Sequence, residues 1–124
     1  MDKLKELCKL YKKCNIDYSF DDNELIEYDQ QTYNDYEIDI AYNILNKEHY
    51  IFIIVEKKNK LIFKGLYKKD KDNLSIIYDD LKNDLYSLDF NTFIDKYYML
   101  LKNSFINWSF YRSFCRKKYE LIFK

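Results

Sequence analysis

From Tyr36 to Ile44 the chain alternates without a break: Tyr36, Ile38, Ile40, Tyr42 and Ile44 are separated by Glu37, Asp39, Ala41 and Asn43. Successive side chains of a strand point to opposite faces, so this pattern predicts a half-buried strand with one apolar and one acidic face. "LNKEH" reads as a turn. The run "YIFIIVE" that follows is β-branched and aromatic without alternation, which predicts a central strand covered on both sides. "KKNK" supplies a second turn before "LIFKGLYKK". Together these segments predict a three-stranded antiparallel meander, in which Gly65 marks a bulge or a close backbone approach.

The flanking segments change period. In "KLKELCKLYKKC", Leu4, Leu7, Cys8 and Tyr11 fall at i, i+3, i+4 and i+7, one apolar stripe of a helix with lysines opposite. Residues 15–31 read equally as a short helix capped by Asp21 or Asp22 and as a strand, so they stay undecided. Beyond "KKDKDN", Leu74, Ile77, Tyr78, Leu81, Leu85 and Leu88 form a helical stripe with Asp72 or Asn73 as the expected cap. A second helix starts at Asp89 as N-cap and turns Phe90, Phe93, Ile94, Tyr97, Leu100 and Leu101 inward. A third runs from Ser104 through Phe105, Trp108, Tyr111, Cys115 and Ile122. An unbroken helix from Phe90 to Phe123 would extend about 50 Å, too long for so small a domain to cover, so a bend is expected near residues 102–104. The fold class is α+β. One small antiparallel sheet of about three or four strands carries an N-terminal helix and two or three C-terminal helices on one face, in a single domain of residues 1–124.

Composition narrows the class further. The chain has no proline, one glycine, one alanine and two arginines (Arg112 and Arg116), while its abundant Lys, Asn, Ile, Tyr and Phe all have A/T-rich codons. A low-GC genome accounts for that bias, so the preference for lysine over arginine is not read as chemistry. The longest apolar run, Tyr50 to Val55, is six residues. A membrane span needs about 20, and the first twenty residues are charged throughout, so neither a span nor a signal peptide is expected. Cys8, Cys14 and Cys115 are odd in number and lack a C-x-x-C spacing. This predicts a reduced, cytoplasmic protein whose cysteines act as small apolar residues.

No catalytic pattern emerges. His49 is the one histidine, placed in an expected turn, and the sequence holds no Gly-x-Ser-x-Gly, no phosphate-cradling glycine loop and no His-x-x-x-His pair. Glu37 with Asp39, and Asp79 with Asp80, pair carboxylates without a sign of the burial that acid–base or metal chemistry requires. The reading is a protein that is not an enzyme and has neither cofactor nor metal.

Charge layout is the informative feature. Equal numbers of acids and bases conceal blocks: residues 1–14 carry +3, 15–46 carry −9, 47–72 carry +4, 73–101 carry −3 and 102–124 carry +5. Like charges gathered in one block repel, which invites a cationic counterpart. Asp21, Asp22, Glu24, Glu27, Asp29, Asp35, Glu37 and Asp39, interleaved with Tyr28, Tyr33 and Tyr36, are therefore expected to face a basic partner protein. Carboxylates steer association with a positive groove, and tyrosine gives rigid contact area. Proteins that grip nucleic acid have such grooves. The alternative surface is the other end of the chain, where Trp108, Arg112 and Arg116 are spaced by four and joined by Lys117 and Lys118, a mix suited to nucleic-acid or phosphate contact. The neutral overall charge disfavours a dedicated nucleic-acid binder.

In general character, as a small, aromatic-rich, motif-free chain with an acidic block, this sequence is similar to the inhibitor proteins of phages and mobile elements, such as anti-CRISPR proteins. It is also similar to the immunity proteins that neutralise nuclease toxins. The resemblance rests on size, composition and charge layout and carries no residue over. It implies a stoichiometric inhibitor or adaptor.

Overall fold

The lysine-backed stripe at the amino end does form a helix, α1 (Asp2–Cys14), which lays Leu4 and Leu7 against the sheet. The structure, a computed structural model, describes residues 2–14, 24–45 and 47–104. Four strands follow: β1 (Glu24–Tyr33), β2 (Tyr36–Leu45), β3 (Glu48–Lys57) and β4 (Lys60–Lys68). They lie in the order β1-β2-β3-β4, each antiparallel to the next. The undecided stretch before the first turn is thus resolved from Glu24 onward as a strand, and the meander gains a fourth member. β1 escapes a simple reading because a register shift between Leu25 and Glu27 interrupts its alternation.

Short turns fix the register. Tyr33 faces Tyr36 across Asn34 and Asp35, with Asn34 at φ 51°. Lys57 faces Lys60 across Lys58 (φ 49°) and Asn59 (φ 66°). Two successive positive φ values match the right-handed strand twist, as in a type I′ hairpin. The two turns meet at one end of the sheet, where the Lys58 N–H donates to the Asp35 carbonyl at 2.8 Å. At the other end the expected turn is shorter than "LNKEH" suggested, because Glu48 and His49 already belong to β3.

α2 (Lys71–Ser87) is capped by Asp70, whose carboxylate accepts the Asn73 N–H at 3.3 Å, and not by Asp72 or Asn73. A cap of this kind contributes about 1 kcal/mol. α3 (Phe90–Lys96) starts as expected at Asp89, which accepts the Thr92 N–H at 2.8 Å. The helix breaks at Tyr97 (φ −101°, ψ 13°) and resumes over 98–104, earlier than the bend expected near 102–104. The expected third helix beyond 104 lies outside the described residues.

One face of the sheet carries the main core. Ile38, Ile40, Ile51, Ile53, Val55 and Phe63 meet Leu74, Tyr78, Leu81 and Leu85 of α2 and Phe90, Phe93 and Ile94 of α3. Each fully buried side chain of this size adds about 1.5–3 kcal/mol before chain entropy is counted. Tyr36 stacks on Phe90 with centroids 4.1 Å apart, and Tyr11 meets Phe63 at 6.2 Å, so α1, α2 and α3 all lie on this face. Residues of the opposite parity, Asn43, Tyr50, Phe52 and Leu66, are buried too. β3 is therefore covered on both sides, as its unalternating composition predicts. Gly65 is a close approach and not a bulge: the helical Ser104 sits against it, while the register shift in this hairpin falls between Val55 and Glu56. Among the described residues, no helix is long and apolar enough to cross a membrane.

Candidate functional site

Strand parity divides the acidic block between two faces, and the two halves have different fates. Glu27, Asp29 and Tyr33 point to the helical side, where they tie β1 to α2. Asp29 accepts the hydroxyls of Tyr78 at 2.8 Å and Tyr86 at 2.9 Å, one on each oxygen. Glu27 pairs with Lys82 at 3.3 Å, and the Tyr33 hydroxyl donates to the Leu85 carbonyl. Burial and the bond to Asp29 drive the Tyr78 phenol far above the usual tyrosine range, while burial pushes Tyr33 up to about 12. These residues hold the fold together.

The other half faces away from the helices. Glu37 and Asp39 of β2 are joined by Glu56 of β3, which stands directly across from Glu37. All three are half-buried, and one carboxylate oxygen from each lies within 4.8 Å of the others. Among the described residues none of the three takes a salt bridge. Asp39 Oδ1 is buried without a hydrogen-bond partner. Burial first, then the charges of Glu37 and Glu56, push the Asp39 carboxyl up to about 6, although hydrogen bonding to Tyr28 and Gln30 pulls it back in part. Tyr28 sits beside them, half exposed, its own phenol raised by burial and by Asp39. Among the described residues, this is the group whose oxygens are close enough to touch one shared cation, whether a metal ion or the ammonium or guanidinium of another protein.

The remaining candidates scatter. Glu24 is exposed at the start of β1 and Asp35 is exposed in the β1–β2 turn. Asp21 and Asp22 lie outside the described residues, as do Trp108, Arg112, Arg116, Lys117 and Lys118 of the alternative surface. Glu56 was missed from sequence because it sits in the basic block 47–72. Only the hairpin register, which places it opposite Glu37, brings it into the acidic group.

His49 is a strand residue and not a turn residue. It is half-buried, and its Nδ1 lies 2.7 Å from the Tyr42 hydroxyl. With Ile26, Tyr42, Ile44, Ser75 and Tyr78 it lines an open cavity of about 300 Å³. Cys8 has its thiol raised by burial, the opposite of what a thiolate nucleophile needs.

The Asp39 environment gives a pH-dependent prediction. A folded-state carboxyl raised to about 6 is ionised at a cost that the unfolded chain does not bear. Both states are protonated well below the ordinary value of 3.8, so the cost is absent there, grows between about 4 and 6, and is complete above. Asp39→Asn is expected to stabilise the protein at pH 7 by about 1 kcal/mol, a figure reduced for solvent screening of a partly exposed group. The gain should vanish near pH 4. Urea unfolding at the two pH values checks this, and an equal gain at both would refute the repulsion.

No protein-family model, curated protein or solved structure matches the chain.

Proposed function

We propose that this chain is a non-catalytic, cytoplasmic interaction protein that binds a basic, nucleic-acid-handling protein through the acidic side of β1, β2 and β3. It acts as a stoichiometric inhibitor or adaptor, in the manner of phage and mobile-element anti-defence proteins such as anti-CRISPR proteins, or of an immunity protein. The observation that carries this reading is the crowding of Glu37, Asp39 and Glu56 without a described cation. Three carboxylates held this close repel one another, and the fold tolerates the cost at neutral pH. A lysine or arginine from outside relieves that repulsion while forming short, charge-assisted bonds. Tyr28 at the rim adds a flat amphipathic surface suited to an interface.

The test uses a variant that should fold better than the parent, so that lost binding is not lost structure. Glu37→Gln, Asp39→Asn and Glu56→Gln together are expected to weaken binding to the protein recovered from the native host about 100-fold. The slowing of association should be largest at low salt. Unchanged affinity in the triple variant, or a recovered partner with an acidic contact surface, would sink the proposal.

A further inference from the structure

We infer that the first half of β1, Glu24–Tyr28, receives an extended, basic segment of the partner as an added strand. The inference rests on the reading above that the partner is basic. β1 is the outer strand of the described sheet. The two-residue turn makes Tyr33 and Tyr36 a hydrogen-bonded pair, so the amides of Gln31 and Asp29 point to β2 while those of Tyr28, Gln30 and Thr32 point outward.

Two of these three outward amides are already met by side chains. The Gln30 N–H is met by the Tyr86 hydroxyl oxygen, and the Thr32 N–H donates to Gln31 Oε1 at 3.3 Å. No described side chain does the same for Tyr28. An open sheet edge is a template for another chain, and folded proteins usually defend it. Among the described residues the defence covers the second half of the strand and stops at Tyr28.

The undefended half also exposes apolar surface. Leu25 is 57% exposed, Ile26 52% and Tyr28 50%, so a four-residue stretch of edge strand holds three of the large apolar side chains left most open to water. The register shift between Leu25 and Glu27 turns the strand and limits the added ladder to a few residues. Charge selects the occupant. Glu27 and Asp29 are taken up by Lys82, Tyr78 and Tyr86, but β1 carries no base, Glu24 is exposed at its start, and Glu37 and Asp39 stand on the next strand. A second copy adding its own β1 would set these acids against their equals, which is unfavourable across a strand pair, whereas alternating lysines complement them.

The probe is an acetylated, amidated heptapeptide of alternating lysine and threonine, compared with the same peptide methylated on every threonine nitrogen. Side chains and charge are identical, while the methyl groups remove backbone donors and block that edge of the peptide from pairing. By amide-resolved NMR titration at low salt, the parent peptide is expected to shift and protect the Tyr28 amide. The methylated peptide should bind about tenfold more weakly, the loss expected for one or two backbone bonds. The triple variant of Glu37, Asp39 and Glu56 should weaken both peptides yet keep their ratio. Equal affinity of the two peptides overturns strand addition and leaves the basic-partner reading standing. Binding of neither peptide, or self-association through β1 without peptide, also overturns it.

Discussion

Gly65→Ala is expected to lower stability by about 2 kcal/mol, because the new methyl group has no room. Built on the present backbone, its Cβ would lie 2.1 Å from Ser104 Oγ, 3.0 Å from Ser104 Cβ and 3.1 Å from the edge of Phe63. Rotating the serine hydroxyl relieves only the first contact and breaks its 2.7 Å bond to the Leu101 carbonyl. The other two atoms are held, one by the helical backbone and one by a fully buried ring. Ser104→Gly removes both serine contacts at once. It carries its own cost of about 1 kcal/mol as a helical glycine, so the pair is compared as a double-mutant cycle. Urea unfolding of the four proteins should return a favourable coupling of about 1 kcal/mol or more, and strict additivity would show that Ser104 is not what Gly65 makes room for.

Tyr78→Phe should cost about 1.5 kcal/mol at pH 7, the lower end for a bond to a charged acceptor, since Asp29 keeps its second tyrosine. The same change alters the alkaline limb. The folded-state phenol of Tyr78 titrates far above its ordinary value of 10, so from about pH 10 upward the unfolded chain loses this proton first and the parent loses stability. The phenylalanine variant lacks that contribution. Its stability should therefore fall less steeply above pH 10, and the gap between the two proteins should narrow. A gap that stayed constant into the alkaline range would mean that the hydroxyl is not bonded to a carboxylate.

The two tyrosines on Asp29 also show where sequence reasoning stops. Alternation placed Ile38, Ile40 and Tyr42 on the core side and Glu37 and Asp39 opposite, and helical spacing placed Leu74, Tyr78, Leu81 and Leu85 inward. Those inferences are local, since a period of two or of 3.6 is a property of the segment alone. Glu27 and Asp29 looked equivalent to Glu37 and Asp39, and what separates them is contact with residues about 50 positions later in the chain. Glu56 joined the acidic group for the same kind of reason, through a hairpin register. The cap of α2 was misplaced by two or three residues because Asp70, Asp72 and Asn73 can each cap a helix start, and the break at Tyr97 was placed too late because the inward stripe of Phe93, Ile94, Tyr97 and Leu101 continues through it. Gly65 was read as either a bulge or a close backbone approach, and only the fold decides for the close approach and names Ser104 as the neighbour.

The sequential order of the strands bears on how the chain reaches its fold. β2 pairs with β3, and β3 with β4, through short turns, so their contacts close small loops and can form early. β1 differs. Its ladder to β2 is equally local, but the residues that anchor its helical side, Tyr78, Lys82 and Tyr86, arrive only with α2. The outer strand of the described sheet is thus the one whose final docking waits for a helix some 50 residues downstream. Until that helix packs, its acids Glu27 and Asp29 lack the tyrosine and lysine partners that hold them in the finished fold.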